Sequence, residues 1–173
     1  PLQQIPAPLV PFGLALQADG HTLVYSFESE GERTRITLLL RELNQLGLAW
    51  YVNLAERGGY QSTPLVIDGR MYVTTPWSKV YAFDAKTGRQ LWKYDPQVPG
   101  AFAVSACCGI ENRGVALWKD KVIVATLDGR LVAIHAVSGK KVWEKQATDP
   151  TKPLAISGAP RVADGRIFIG QGG

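Results

Sequence analysis

Between His21 and Phe27 the chain alternates Leu23, Tyr25 and Phe27 with Thr22, Val24 and Ser26, the two-residue period of a strand with one buried face. The period then changes. Ser29 followed by Glu32 forms an S-x-x-E capping box, and Ile36, Leu39, Leu40, Leu43 and Leu46 recur at helical spacing up to Gly47, a natural stop. The spacing predicts one amphipathic helix of about four turns over residues 29–46. Ahead of it, residues 1–11 carry four prolines and read as an extended lead-in, neither helix nor central strand. One strand and one helix cannot bury their apolar faces alone, so this piece needs a partner.

From Thr63 onward the pattern is short apolar runs separated by Asp-Gly, Thr-Gly and Ser-Gly pairs. TPLVI, RMYVTT, KVYAF and RQLWKY are followed by VALW, KVIVAT, RLVAI and KKVWEK, then by APRV and RIFIG. Each run has strand length and β-rich composition, with Asp68-Gly69, Asp128-Gly129 and Asp164-Gly165 as hairpin signals. The runs also repeat. Residues 82–92 and 133–143 share the pattern A-x-[DH]-A-x-[TS]-G-x-x-[LV]-W at an offset of 143 minus 92, or 51 residues. Four short antiparallel strands recurring at that period predict a β-propeller, each sheet covering its neighbour's face. The chain is therefore expected to be mainly β, with an extended lead-in over 1–13, a small α/β segment over 14–48, and a propeller arc over 49–173. That arc holds two nearly complete blades and the start of a third. Trp92 and Trp143 are expected to pack between blades.

Composition narrows the function. Basic residues are scattered, only Lys140 and Lys141 being adjacent, so the net charge of +4 makes no nucleic-acid patch. No apolar run reaches the ~18 residues of a membrane span, so no transmembrane segment is expected. His21 and His135 stand 114 positions apart without a ligand-spaced companion, which leaves no metal site, and no phosphate-cradling glycine motif occurs. The chain opens at Pro1 and closes on GQGG directly after an apolar run, which predicts that both ends are cut.

The only two cysteines, Cys107 and Cys108, are adjacent. Taken alone, the pair fits two reduced core thiols as well as a vicinal disulfide. The surrounding motifs bear on the choice. GLAWYVNL, the run from Gly59 through TPLVIDGRMYV, SACCGIENRGVALW and SGAPRVADGRIFIGQGG together resemble, in order and spacing, the N-terminal region of the pyrroloquinoline quinone (PQQ) alcohol dehydrogenases, over about residues 47–173. The tryptophan-ended repeat resembles that family's docking motif.

The resemblance implies an eight-bladed ring and a disulfide between Cys107 and Cys108 lying against the planar quinone. Consecutive Cα atoms sit about 3.8 Å apart, below the usual disulfide range of about 4.4–6.8 Å. Such a ring is strained and stiff, and it needs an oxidising compartment, here the periplasm. It also implies that Arg113 reaches the quinone oxygens, that Ser157 stands where the family has a threonine hydroxyl, and that Gly172 and Gly173 let backbone approach the cofactor. Gln61 occupies the position of a family glutamate. Its amide keeps an acceptor and adds two donors, so contact survives in altered form. PQQ and Ca²⁺ are the implied cofactors, with the calcium ligands and catalytic base outside these residues, and a haem c domain is a further family feature. The implied substrate is an alcohol and the implied electron acceptor a cytochrome c; no catalytic residue is expected within the chain, which alone would be inactive. The alternative is a non-catalytic scaffold propeller of the outer-membrane assembly type.

A second resemblance concerns residues 14–48, which are similar to the small C-terminal domain of some bacterial ABC-transporter ATPases. The two meet at NQLGLAW, and the expectation is a join between unrelated segments at that string.

Overall fold

The computed structural model describes residues 9–16, 23–29, 35–37, 49–106 and 109–172, with side chains from residue 49 onward. Strands β1 (Leu9–Leu16), β2 (Leu23–Ser29), β3 (Arg35–Thr37) and β4 (Tyr51–Asn53) form the first antiparallel sheet in sequence order. Pro11 lies in β1, the edge strand, where a missing N–H breaks no central ladder, and the β1–β2 register slips between Pro11 and Gly13. One element differs from expectation. Within the span expected to be helical, Arg35–Thr37 are strand, paired on one side with β2 and on the other with β4. Ile36 and Thr37 are β-branched, and two flanking strands offer their backbone groups a ladder that an isolated helix would not have. Residues 30–34 and 38–48 of that span lie outside the described residues.

The second sheet is β5 (Leu65–Ile67), β6 (Arg70–Thr74), β7 (Val80–Asp84) and β8 (Gln90–Tyr94). The third is β9 (Val115–Trp118), β10 (Lys121–Ala125), β11 (Arg130–His135) and β12 (Lys141–Gln146), and a final hairpin pairs β13 (Arg161–Ala163) with β14 (Arg166–Phe168). The Asp-Gly pairs fall where hairpins were expected. Asp68-Gly69 and Asp164-Gly165 make two-residue turns with both φ values positive, the geometry that matches strand twist.

Both faces of the second sheet are covered. Tyr72, Val80, Ala82 and Trp92 join Val122, Val124, Val132 and Ile134 of the third sheet in one apolar cluster. Met71, Val73, Tyr81 and Phe83, on the alternate positions, pack with Leu54 and Tyr60 in another, against which Trp50 and Val52 lie. The alternation of β6 and β7 is thus apolar on both sides, because each face has a neighbouring sheet.

One indole locks each interface. Trp92 Nε1 donates to the Ala136 carbonyl at 2.9 Å, and a Cβ added to Gly139 would fall 2.7 Å from Trp92 Cγ. Trp50 repeats the arrangement one sheet earlier: Nε1 donates to Ala85 O at 3.1 Å, and a Cβ on Gly88 would fall 2.5 Å from Trp50 Cδ2. Gly88 and Gly139 have φ of +73° and +69°, so both sterics and backbone demand glycine. The preceding position of the motif shapes the turn. Asp84 Oδ1 accepts from the Lys86 and Thr87 N–H groups, and at the equivalent place His135 Nδ1 accepts from Ser138 N at 3.1 Å. His135 is thereby employed as a turn acceptor.

Gly139→Ala is expected to destabilise the chain by about 2–4 kcal/mol, from the left-handed backbone plus overpacking against Trp92. Trp92→Phe, which keeps most of the packing, should lose about 1 kcal/mol for the hydrogen bond, and Trp92→Ala about 3–5 kcal/mol. Urea unfolding measures all three; a Gly139→Ala loss under about 0.5 kcal/mol, the scale of an ordinary surface change, would show that the indole does not press on this turn.

Candidate functional site

Three loops enter the first strands of successive blades, and backbone hydrogen bonds link them into one rim. Thr63 N donates to Arg113 O at 3.3 Å, and Arg113 N donates to Ser157 O at 2.9 Å. Ala155 and Gly172 then exchange both bonds, at 2.9 and 3.0 Å. Gly114, at φ +126°, allows this closeness: a Cβ there would stand 3.2 Å from Thr63 O and 3.7 Å from Ala159 Cβ.

The rim carries donors. Arg113 is exposed, and its Nη1 donates to Ser157 Oγ at 2.5 Å. No carboxylate pairs with the Arg113 guanidinium among the described residues, which leaves its remaining N–H groups for a ligand. Gln61 is half-buried two residues before Thr63, and its amide has no partner among the described residues. Gly172 is exposed on the same rim. The structure thus bonds Arg113 to Ser157 and joins by backbone hydrogen bonds the loops that carry Gln61 and Gly172. Cys107, Cys108 and Gly173 lie outside the described residues, although Ala106 and Gly109 bracket the pair. Glu111 is the one acid here; its carboxylate lies against Gly59 and Gly109, where an added Cβ would come within 2.8 Å of a carboxylate oxygen at either position.

Several supporting residues carry no motif that a sequence reading would single out. Asn112 is buried, and its side chain donates to Ser78 Oγ at 3.2 Å and Ala125 O at 2.8 Å while accepting from Gly114 N at 3.1 Å. Ser78 Oγ also accepts from Leu127 N at 3.1 Å. Trp77 and Ser78 stand at φ of 65° and 56°, consecutive non-glycine residues in the left-handed region, a cost of about 1–3 kcal/mol each. Trp77 N donates to Ile110 O of the opposite loop at 3.0 Å, and Thr75 N closes the turn on Lys79 O at 2.9 Å.

Two ionic anchors fix the loops on either side. Arg130 donates through Nη2 to Asp128 at 2.7 Å and to Pro96 O at 2.8 Å, pinning the stretch that leads to the 3₁₀ turn Gly100–Ser105 just before the cysteines. Glu56 pins the loop that carries Gln61. Its carboxylate accepts from Tyr81 Oη at 2.7 Å and Lys93 Nζ at 2.8 Å, and its carbonyl accepts from Tyr60 Oη at 2.7 Å. Burial pushes the Glu56 carboxyl up, but the bonds from Lys93 and Tyr81 outweigh it and hold it below the usual carboxylate range. Burial raises the phenols of Tyr60 and Tyr81, with the Glu56 charge adding to it. No group of three or more metal-ligating side chains occurs among the described residues.

Four-stranded antiparallel blades locked by docked indoles, with donor-bearing loops gathered on one rim, define an arc of a β-propeller. The sequence profile of the PQQ family described as "Glucose/ethanol/alcohol dehydrogenase, beta-propeller domain" matches residues 41–146, and the chain belongs to this family. "Quinohemoprotein alcohol dehydrogenase ADH IIB" of Pseudomonas putida is 53% identical over 131 residues, which cover 76% of this chain and 19% of that protein. "1-butanol dehydrogenase (cytochrome c)" of Thauera butanivorans is 52% identical over 130 residues, 75% of this chain and 19% of that protein. The crystal structure of quinohemoprotein alcohol dehydrogenase from Comamonas testosteroni superimposes with a TM-score of 0.71 at 48% identity, covering 73% of this chain and 19% of that one. The chain thus spans about a fifth of the length of these relatives. Residues 1–40 lie outside the family match.

The Glu56 anchor has a definite pH signature. A carboxyl held below its unfolded value contributes stability that is fully present above the ordinary carboxylate range and is lost as pH falls through the lowered folded value. Unfolding free energy of the wild-type chain should therefore fall from pH 6 to pH 3 more steeply than that of Glu56→Gln, which should be less stable at pH 7 and flatter in acid. Parallel slopes for the two proteins would show that Glu56 is not the titrating anchor.

Proposed function

We propose that this chain forms one wall of the PQQ pocket in a periplasmic, PQQ- and calcium-dependent alcohol dehydrogenase. The observation that carries the reading is the hydrogen-bonded succession Thr63–Arg113–Ser157, which sets the Gln61 amide, the Arg113 guanidinium and the Ser157 hydroxyl on adjacent loops of one rim. A guanidinium with unspent donors, a hydroxyl and a free amide fit a planar anion rich in oxygen acceptors. The glycine at 172, exposed on the same rim, admits close backbone approach without a side chain in the way. Bound PQQ supplies the two-electron acceptor for alcohol oxidation, with a calcium ion acting on it as a Lewis acid.

Within this reading each residue has a defined task. Arg113 binds and orients the cofactor's oxygens, and Ser157 steadies the guanidinium through the bond to Nη1. Gln61 donates to a cofactor carboxylate where a glutamate would repel it. A disulfide between Cys107 and Cys108 forms a flat platform against the quinone and persists in the oxidising periplasm. The calcium ligands and the base that takes the alcohol proton belong to parts of the protein outside these 173 residues, so the chain alone holds an incomplete site. The names of the relatives support a cytochrome as electron acceptor and a haem c group in the full-length protein. A scaffold propeller of the outer-membrane assembly type would use the indole locks equally well, but it has no task for a rim guanidinium that no carboxylate among the described residues neutralises.

Titration of the full-length protein with PQQ and Ca²⁺, followed by dye-coupled oxidation of ethanol and 1-butanol, tests the proposal. The 173-residue chain should show no turnover, and the full-length protein should. Arg113→Ala should weaken PQQ binding about 10- to 100-fold, the scale of a lost charge-assisted hydrogen bond. Peptide mass analysis of unreduced, cofactor-loaded protein should find Cys107 and Cys108 bonded to each other. Turnover by the isolated chain above a Cys107→Ser/Cys108→Ser control would place the active site elsewhere.

A further inference from the structure

We propose that Asn112 is the positioning residue of the cofactor loop: its buried amide ties the loop from Gly109 to Gly114 to both neighbouring blades and so sets the aim of the Arg113 guanidinium. The identity of the ligand rests on the PQQ reading above; the positioning role does not.

Asn112 is 1% exposed, whereas Glu111 is half-buried and Arg113 exposed. Its amide spends both N–H groups, on Ser78 Oγ and Ala125 O, and its Oδ1 takes the Gly114 N–H. Its own carbonyl accepts from Thr74 Oγ1 at 3.1 Å. The bonds therefore run to the end of β6, to the turn after it, to the end of β10 and to the loop itself. Two blades are registered against each other at this point.

The chemistry required is specific to an amide. Two acceptors and one donor converge on the side chain, and only an amide answers with two donors and one acceptor from a single planar group. Aspartate could take the Gly114 N–H and the Ser78 O–H but would set a charge against the Ala125 carbonyl, which can only accept. Leucine, of similar shape, would leave the Ala125 carbonyl and the Gly114 N–H without these partners in the core.

The Trp77-Ser78 turn is part of the same device. A left-handed pair of non-glycine residues persists only where its surroundings over-determine it. Here those surroundings are Asn112, Leu127 N and Ile110 O, two of them from the loop that bears Arg113. Arg113 itself is held by backbone bonds to Thr63 and Ser157. Those bonds survive removal of the Asn112 side chain, so the loop stays attached to the rim. What is lost is the fixed orientation of the residue next in sequence.

The test uses the full-length protein and four forms: wild type, Asn112→Asp, Ser78→Ala and Val122→Ala, the last a core change remote from the rim loops. PQQ dissociation constants, read by tryptophan fluorescence in Ca²⁺ buffer, should rise about 10- to 100-fold for Asn112→Asp and about 3- to 10-fold for Ser78→Ala. Val122→Ala should lower the melting temperature at least as much as Ser78→Ala yet leave the constant within about twofold, as expected for a site with no shared partners. Dissociation constants that simply track melting temperature across the variants overturn the proposal. Ser78→Ala carries the test if Asn112→Asp fails to fold. In parallel, the rate at which phenylglyoxal modifies Arg113 in the apo-protein, followed by peptide mass, should change severalfold in the folded variants of Asn112 and Ser78. An unchanged rate removes the positioning role whatever the ligand, whereas a changed rate in a protein that binds no PQQ overturns the PQQ reading and leaves the positioning role standing.

Discussion

The second blade is held to its neighbour on either side by one indole pressed onto one glycine. The ring of Trp50 or Trp92 closes so tightly on Gly88 or Gly139 that no Cβ fits, and its N–H takes the carbonyl of Ala85 or Ala136 three residues earlier. This contact fixes spacing and rotation together: the glycine sets how near the sheets come, and the directional hydrogen bond sets how they turn. A sheet-on-sheet interface of apolar side chains alone would slide, because burial is non-directional. The indole converts it into a defined angle, and a defined angle repeated is what makes an arc. The same residues serve two purposes, since Tyr72 Oη also donates to Ala136 O at 3.3 Å and its ring lies 5.8 Å from that of Trp92. The carbonyl of Ala136 is thus the point at which polar and apolar parts of the interface meet.

Once the blades are registered, the loops at the hub have no freedom to wander. The bonds from Thr63 to Arg113 and from Arg113 to Ser157 link loops of successive blades that are far apart in sequence, and they form because the blade angle brings equivalent positions into reach. Chemistry can then be placed one residue at a time, an amide at Gln61, a guanidinium at Arg113 and a hydroxyl at Ser157, without any single loop having to fold around the ligand. The cost of this economy is local strain. Trp77 and Ser78 are held in the left-handed region by bonds from the opposite loop, so the rim is rigid only while both blades are in place. Glu56 and Arg130 extend the same logic outward, anchoring the stretches before Gln61 and before the cysteines to the body of the sheets.

How much of this could be read from the chain depends on whether a feature repeats. The strands from Leu65 to Phe168 and the hairpin turns follow from period-two alternation and Asp-Gly pairs, because both are local and recur. The docking role was legible for Trp92, whereas Trp143, which shares the motif, is only half-buried, and the equivalent role of Trp50 was not legible, since its strand lacks the A-x-[DH]-A-x-[TS]-G turn. At the site, Arg113, Ser157 and Gln61 stood out through the company they keep in sequence. Asn112, quoted only as part of the Asn-Arg-Gly run, and Ser78 were given no role, because apart from Gly114 their partners are 13 to 49 positions away and no spacing rule connects them. The helical pattern over residues 29–46 shows the converse failure. A capping box and leucines at helical intervals are local signals, and at Arg35–Thr37 the ladder offered by β2 and β4 is the stronger claim.

A propeller separates what must be regular from what must be particular, and the separation explains where function sits in this chain. Residues within β6, β7, β10 and β11 face neighbouring sheets on both sides, so nearly any polar substitution there would be buried without a partner. The outer strands β8 and β12 are more exposed and carry Lys93, Lys141, Glu144 and Lys145, whose charges remain solvated or paired. Only the loops entering the first strand of each blade are both fixed in place and open on one side, and these are the loops in which glycine, asparagine, arginine and the adjacent cysteines accumulate. The repeat supplies position, and the departures from it place the polar groups of the rim, Asn112 and Arg113 among them.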